Sequence, residues 1–247
     1  MSGDLISLRL LLVTAAASEE SLWRQGCALA SVPIDFAAAD AVGATKALGK
    51  GGIDICVIDS RLRDNDKDAV LNAARVSAPP PFVALSAPGG AGKLPGCDGT
   101  LAKPTTAEEA RKLAELCIRV KLPARVLIVD DSSTIRSIVR KILAASRFAL
   151  DIHEAEEGIA ALNQLRVGNY GLVFLDYNMP GLNGFETLSE IKREVPNVAV
   201  VMMTSQMDAA LADRALVSGA LAFLKKPFFP ADIDAVLARH YGLNVPH

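Results

Sequence analysis

The chain has 247 residues, 51% of them hydrophobic and 22% charged, with a formal net charge of −2. That length suits one large domain or two of ordinary size, and the apolar content supports a packed core and argues against disorder. Residues 1–121 carry 14 Lys and Arg against 14 Asp and Glu, and residues 122–247 carry 12 against 14, so neither half has the basic excess of a nucleic-acid-binding surface.

Aromatic residues make up only 5% of the chain, and the Ala, Val, Leu and Ile that dominate instead fit parallel strands covered by helices. Cys27, Cys56, Cys97 and Cys117 all lie in the first half and none forms a C-x-x-C pair. This spacing predicts reduced core thiols, not disulfides or zinc ligands. The apolar run within Leu8–Ala17 is short and follows Asp4, so it reads as a first core strand and not as a signal peptide. No run approaches the roughly 20 apolar residues that span a bilayer. A cytoplasmic protein without membrane attachment is expected.

In chain order, Leu8–Val13 reads as a strand, Ile53–Ile58 as another ending at Asp59, and Phe82–Leu85 as a third ending at Ser86. The stretch Ala87–Gly99 is dense in Gly and Pro, which opposes a helix there. Gly92-Lys93 within it is followed by Leu94 and lacks the earlier Gly of a phosphate-binding loop, so that motif is rejected. Leu101-Ala102 leads to Lys103-Pro104, and Thr105 or Thr106 with Glu108 or Glu109 suggests a capping box opening a last helix. Lys121–Ala124 is a very short linker.

The same alternation then returns more strongly, so the chain is an internal duplication. Val126–Val129 is an apolar strand ending in Asp130-Asp131. Ile135, Ile138, Val139, Ile142 and Leu143 follow at helical spacing, with Ser132 or Ser133 as the cap. Ala149–Ala155 is a strand, Ile159, Leu162 and Leu165 mark a helix up to Gly168-Asn169, and Leu172–Leu175 is a strand stopping at Asp176. A helix carries Phe185, Leu188 and Ile191 up to Pro196. Val198–Met203 is a strand ending at Thr204, and Leu211, Ala215 and Leu216 mark the next helix. Leu221–Leu224 is a strand ending at Lys225-Lys226-Pro227, and Ile233, Val236 and Leu237 close the pattern. The second half is therefore a (βα)₅ unit with a parallel sheet, the first half repeats that plan more faintly, and the chain divides as 1–121 and 122–247.

Ligands of open parallel sheets bind beyond the carboxyl ends of the strands. In the second half that edge collects Asp130, Asp131, Asp176, Thr204 and Lys226. Singly, an Asp pair is a helix-capping turn, Lys-Pro a loop and Thr204 a satisfied strand-end hydroxyl. Together they form a site. Three gathered carboxylates repel unless a cation neutralises them, and a hard divalent ion with oxygen ligands, Mg²⁺, is the natural solution. A carboxylate on such an ion, beside a Lys and a hydroxyl, is arranged for phosphoryl transfer.

With these motifs the second half resembles the CheY-like receiver domains of two-component response regulators. The resemblance implies a flavodoxin-like fold with strand order 2-1-3-4-5 in both halves, and Asp176 as phosphoacceptor. It implies Mg²⁺ on Asp131, Asp176 and the backbone carbonyl of Asn178, with Asp130 acting through water. Lys226 and Thr204 would bind phosphoryl oxygens, and Phe223 would be the switch aromatic. Asn178 and Gln206 would tune dephosphorylation. The partners it implies are a sensor histidine kinase or a histidine phosphotransfer protein, with signalling through protein contacts or a homodimer, and no enzymatic output. Only Tyr241–His247 follow the last helix, and the expectation is that no effector domain follows them, although a piece of a longer protein stays open. A phosphorelay intermediate or phosphate sink is the alternative function. A haloacid dehalogenase-type phosphatase is disfavoured, because its Asp-x-Asp belongs on a first strand.

The first half departs from the pattern. Thr14-Ala15 stands at the place of Asp130-Asp131, Asp59 at the acceptor, Ser86 at Thr204, Lys103 at Lys226, Arg61 at Asn178 and Thr100 at Phe223. Loss of the acidic pair removes the anchor for Mg²⁺, and Lys103 or Arg61 can neutralise Asp59 directly. The expectation is a degenerate pseudo-receiver that keeps the fold and has lost phosphorylation.

Overall fold

Apolar runs such as Leu10–Val13, Ile55–Ile58, Val126–Val129 and Leu172–Leu175 have no polar face, so strands made of them need helices on both sides. The computed structural model, which describes residues 7–92, 94–205 and 209–243, contains that arrangement twice. One compact unit runs up to Lys121 and the other from Leu122 to His240.

The first unit consists of β1 (Leu8–Val13), α1 (Ala17–Ala28), β2 (Ile34–Ala39), α2 (Ala41–Gly49), β3 (Ile55–Asp59), α3 (Asp64–Val76), β4 (Phe82–Ala87), β5 (Gly99–Ala102) and α4 (Ala107–Lys121). All its strands are parallel, in the order β2-β1-β3-β4-β5. Leu11, Val13, Ile58, Val70, Leu71 and Leu85 pack on one face of the sheet. On α1, Trp23 and Cys27 are buried, and Gly26 lies against the backbone of Ala110 in α4. Between β4 and β5 there is one 3₁₀ turn, Pro88–Gly90, and no α-helix among the described residues. Gly89, Gly90, Gly92 and Gly96 all have positive φ there, a backbone that a helix cannot use. Glu109 caps α4 one residue further back than a standard box: its amide donates to the Thr106 hydroxyl oxygen, while its carboxylate accepts from the amide and hydroxyl of Thr105.

The second unit consists of β6 (Ala124–Val129), α5 (Ser133–Ala144), β7 (Leu150–Ala155), α6 (Gly158–Val167), β8 (Leu172–Asp176), α7 (Gly184–Glu194), β9 (Ala199–Thr204), α8 (Ala209–Val217), β10 (Ala222–Lys225) and α9 (Pro230–Tyr241). Its parallel order is β7-β6-β8-β9-β10, the same 2-1-3-4-5 topology. Ser132 caps α5, and Asn183 with Glu186 forms a full capping box on α7. Every residue of β8 is buried, and at about 1.5–3 kcal/mol per large apolar side chain the central strands dominate the core.

The apolar stripes are only partly core. On α5 the buried residues are Arg136, Val139 and Leu143, while Ile138 is 48% exposed. Ile159 and Leu216 are also exposed. No helix among the described residues is long and apolar enough to cross a membrane. All four cysteines are free and buried, and burial pushes the thiols of Cys27, Cys56 and Cys117 up to about 12.

A Cβ at position 26 would lie 2.5 Å from the Ala110 carbonyl carbon and 2.6 Å from the Arg111 nitrogen, both backbone atoms. Gly26→Ala is therefore expected to weaken the first unit by about 1–3 kcal/mol. A lower urea midpoint for that unit's unfolding, with the second unit's transition in place, is the measurement.

Candidate functional site

The C-terminal ends of β6, β8, β9 and β10 form the edge where the polar groups of the second unit gather. Asp130 follows β6 and is buried, and Asp131 next to it is exposed. Asp176 is the last residue of β8 and Thr204 the last of β9, and both are buried. Lys226 follows β10, its amide bonded to the Thr204 carbonyl. Asn178 lies exposed in the turn after β8, and Phe223 sits partly buried within β10 against the core. Gln206 lies outside the described residues.

The Lys226 ammonium donates to Asp130 Oδ2 at 2.6 Å and to Asp176 Oδ1 at 2.8 Å. One carboxylate oxygen from each of Asp130, Asp131 and Asp176 lies within 4.8 Å of the others. Opposite corners of a Mg²⁺ octahedron with bonds of 2.0–2.1 Å are about 4.2 Å apart, so the three groups reach one ion with small movements. Their donor atoms are hard oxygens, and three carboxylates against one ammonium leave two negative charges for a cation to match. The residues fit the metal. Burial raises the Asp176 carboxyl above the ordinary carboxylate range, and the neighbouring Asp130 adds to this while Lys226 opposes it. On the solvent side Asp131 opens into a cleft of about 540 Å³ that also bears Glu154, Glu156 and Glu157, an acidic mouth that concentrates cations.

One supporting residue carried no signal in the motifs. The guanidinium of buried Arg136 donates to the Asp130 carbonyl at 2.8 Å and pairs with Glu154 and Glu156. It ties the end of β6, which carries the acidic pair, to α5 and β7.

The first unit keeps a site of different make-up. Strand register pairs Asp59 with Ser86 but Asp176 with Met203. Likewise Lys103 bonds the Ala87 carbonyl, where Lys226 bonds that of Thr204. Ala87 therefore stands at the place of Thr204, and the equation of Ser86 with Thr204 is off by one residue. The Ser86 hydroxyl donates instead to the carboxylate of Glu19 on α1. Thr14, Arg61, Thr100 and Lys103 occupy the expected places. The Lys103 ammonium contacts Asp59 Oδ1 at 2.6 Å, and Thr14 Oγ1 donates to Asp59 Oδ2 at 2.9 Å. Arg61 gives Asp59 its amide at 3.0 Å and its guanidinium at 3.2 Å. Burial alone would raise the Asp59 carboxyl, but Lys103, Arg61 and Thr14 hold it well below the usual carboxylate range.

Glu19 is the residue that sequence reasoning missed. It is only 2% exposed, and its carboxylate contacts Lys103 at 2.5 Å and accepts from Ser86 Oγ at 3.0 Å. Burial raises its carboxyl, with Asp59 adding to the rise and Lys103 opposing it. A Glu in the first turn of a helix reads as an ordinary partner of the helix dipole. The available signal was that Glu19 stands where the second half has apolar Ile135.

A doubly wound parallel sheet with an acidic cluster and a lysine at its carboxyl edge is the arrangement expected of a phosphoacceptor domain. Comparison with known proteins agrees. Residues 126–238 match the response regulator receiver domain. The chain is 34% identical over 115 residues to the chemotaxis protein CheY-3 of Vibrio cholerae, covering 46% of this chain and 88% of that protein. It is 35% identical over 119 residues to the two-component response regulator ORR6 of Oryza sativa subsp. japonica, covering 46% of this chain and 69% of the relative. A solved structure of a probable two-component system response regulator/GGDEF domain protein aligns over 95% of this chain and 98% of its own, with a TM-score of 0.54 and 20% identity. That likeness is one of fold, and it extends over both units. The chain belongs to the response-regulator receiver family.

Arg136→Ala removes a buried guanidinium and leaves the Asp130 carbonyl without its donor. A loss of about 1–3 kcal/mol from the second unit is expected, measured by chemical denaturation. Arg136→Lys is expected to recover only part of it, since an ammonium cannot serve the carbonyl and both carboxylates in one plane.

Proposed function

We propose that this chain is a response regulator of a two-component or phosphorelay system that accepts a phosphoryl group on Asp176 from a phosphohistidine donor. The observation that carries this reading is the Lys226 bridge between Asp130 and Asp176, with Asp131 alongside. It combines an acceptor carboxylate, an ammonium for a phosphoryl oxygen and the oxygens for one divalent ion.

In this reading an Asp176 carboxylate oxygen attacks phosphorus as the phosphorus–nitrogen bond to the donor imidazole breaks, and the imidazole leaves with the electron pair of that bond. Lys226 turns from the carboxylates toward an incoming phosphoryl oxygen. The Thr204 hydroxyl binds another. Mg²⁺, held by Asp131, Asp176 and the Asn178 carbonyl with Asp130 through water, would supply charge neutralisation for the transferred group. A groove of about 300 Å³ beside Lys226, lined by Ile135, Ile138, Pro227 and Phe228, offers an apolar footing for a donor protein. The donor is a sensor histidine kinase or a histidine phosphotransfer protein.

Phosphorylation adds negative charge next to Thr204, and Phe223 two strands from the acceptor is only partly packed. Inward movement of both would change the face of α8, β10 and α9, a two-state switch read by a protein partner or a second copy. The first unit is a pseudo-receiver in this scheme: the acidic pair, the Thr204 hydroxyl and the aromatic are replaced by Thr14-Ala15, Ala87 and Thr100.

Transfer of label from a phosphorylated histidine kinase tests the reading. Asp176→Asn and metal chelation are each expected to abolish labelling, and Lys226→Ala to slow it by about 100-fold. Asp59→Asn is expected to label like the wild type. Label that survives in Asp176→Asn and disappears in Asp59→Asn would overturn the assignment.

A further inference from the structure

The family's divalent ion fits the second unit, but the residues of the first unit do not accommodate it, and the mismatch has a definite geometry. In both units a lysine at the end of the last strand bridges two carboxylates. Lys226 bridges Asp130 and Asp176 at 2.6 and 2.8 Å, and Lys103 bridges Glu19 and Asp59 at 2.5 and 2.6 Å. The second carboxylate thus reaches the lysine by two different routes. Asp130 comes from the end of β6, whereas at the equivalent place β1 ends in Thr14, and α1 supplies the longer Glu19 side chain instead. Ser86 fixes the outer oxygen of Glu19, and Thr14 lies 3.4 Å from the inner one.

The charge count separates the two sites. Three carboxylates face one ammonium in the second unit. In the first, Glu19 and Asp59 face Lys103 and Arg61, whose guanidinium reaches both carboxylates at 3.4 and 3.2 Å. The first site is electrically closed by the protein's own groups. Carboxylates already paired in this way offer a cation no net charge.

We propose that in the first unit Glu19 takes over the role of Asp130 and the Arg61 guanidinium that of the divalent ion, making a metal-free cluster closed to phosphoryl transfer. The comparison rests on the reading of the second site as the Mg²⁺-dependent acceptor. Other features of the unit agree with a fixed state. Ala87 has no hydroxyl to follow a phosphoryl group, Thr100 is no aromatic switch, and its hydroxyl is tied to the Gly92 carbonyl at 3.3 Å. No α-helix among the described residues lies between β4 and β5 to be displaced. The unit's surface is then constant, whatever the phosphorylation state at Asp176.

Amide spectra of the full ¹⁵N-labelled chain during titration with MgCl₂ provide the test. In the wild type, amides flanking Asp130 and Asp176 are expected to shift and saturate while Ser60, Arg61 and Leu62 stay still. Arg61 is more than half exposed, so Arg61→Asn leaves the packing intact and frees one negative charge. A saturable Mg²⁺ response at residues 60–62 is expected in that variant, at about tenfold or more lower Mg²⁺ than any response of the wild type. Glu19→Gln added to Arg61→Asn is expected to abolish it again. A saturable response at residues 60–62 of the wild type, or none in Arg61→Asn, would sink the proposal. Amides of the second unit, recorded in the same spectra, report separately on the proposed function: their silence would count against Asp130, Asp131 and Asp176 as a metal site, leaving the comparison at Asp59 readable.

Discussion

Parallel strands that end together force their terminal side chains into one small volume, and in the second unit three of those side chains are carboxylates. Oxygens within 4.8 Å of one another repel by about 3–4 kcal/mol per ionised pair at an effective dielectric of about 20. Lys226 offsets part of this by bridging two of the three. The remainder is a standing demand for positive charge, on an edge that opens into an acidic cleft. The position of Lys226 answers that imbalance, and burial together with the neighbouring Asp130 raises the proton affinity of Asp176.

The two units show how the same backbone accommodates opposite answers to this demand. In one, the charge deficit is left open and can be met from solution. In the other, Glu19 supplies the second carboxylate and Arg61 the second positive charge, at positions where the second unit has Ile135 and Asn178. Neither substitution alone would close the site. Arg61 without Glu19 would leave an excess of positive charge, and Glu19 without Arg61 would leave two buried carboxylates on one lysine. Each makes the other tolerable, which is the mark of a coupled pair.

Supporting residues decide how well each site is held. Arg136 is buried under the acidic pair and ties the backbone at Asp130 to Glu154 and Glu156. The capping box at Asn183 and Glu186 starts α7 close behind the acceptor strand, where Gly184 packs against the backbone of Asp176 and Tyr177. In the first unit, the glycine-rich passage after β4 folds back instead of forming a helix, and Leu94 and Cys97 are buried against the same core. The face that carries α8 in one unit is therefore built from loop in the other.

Most of the architecture was legible in the sequence, because the apolar runs of a parallel sheet are short, uninterrupted and bounded by polar residues. The strand ends Asp130, Asp176, Thr204 and Lys226 were readable for the same reason: each directly follows or closes such a run. Helix faces were less readable. Ile138, Ile159 and Leu216 obey the spacing but are exposed, since periodicity locates a stripe without saying how far a neighbouring element covers it. What only the tertiary structure decided was pairing across distance. Register showed that Ala87, and not Ser86, matches Thr204, where likeness of the hydroxyl side chains had suggested Ser86. Folding also carried Glu19 across to Lys103 and Ser86, 84 and 67 positions away along the chain. A local pattern encodes which residues end a strand, but the charge balance of a site depends on whatever long side chain a neighbouring helix can extend into it.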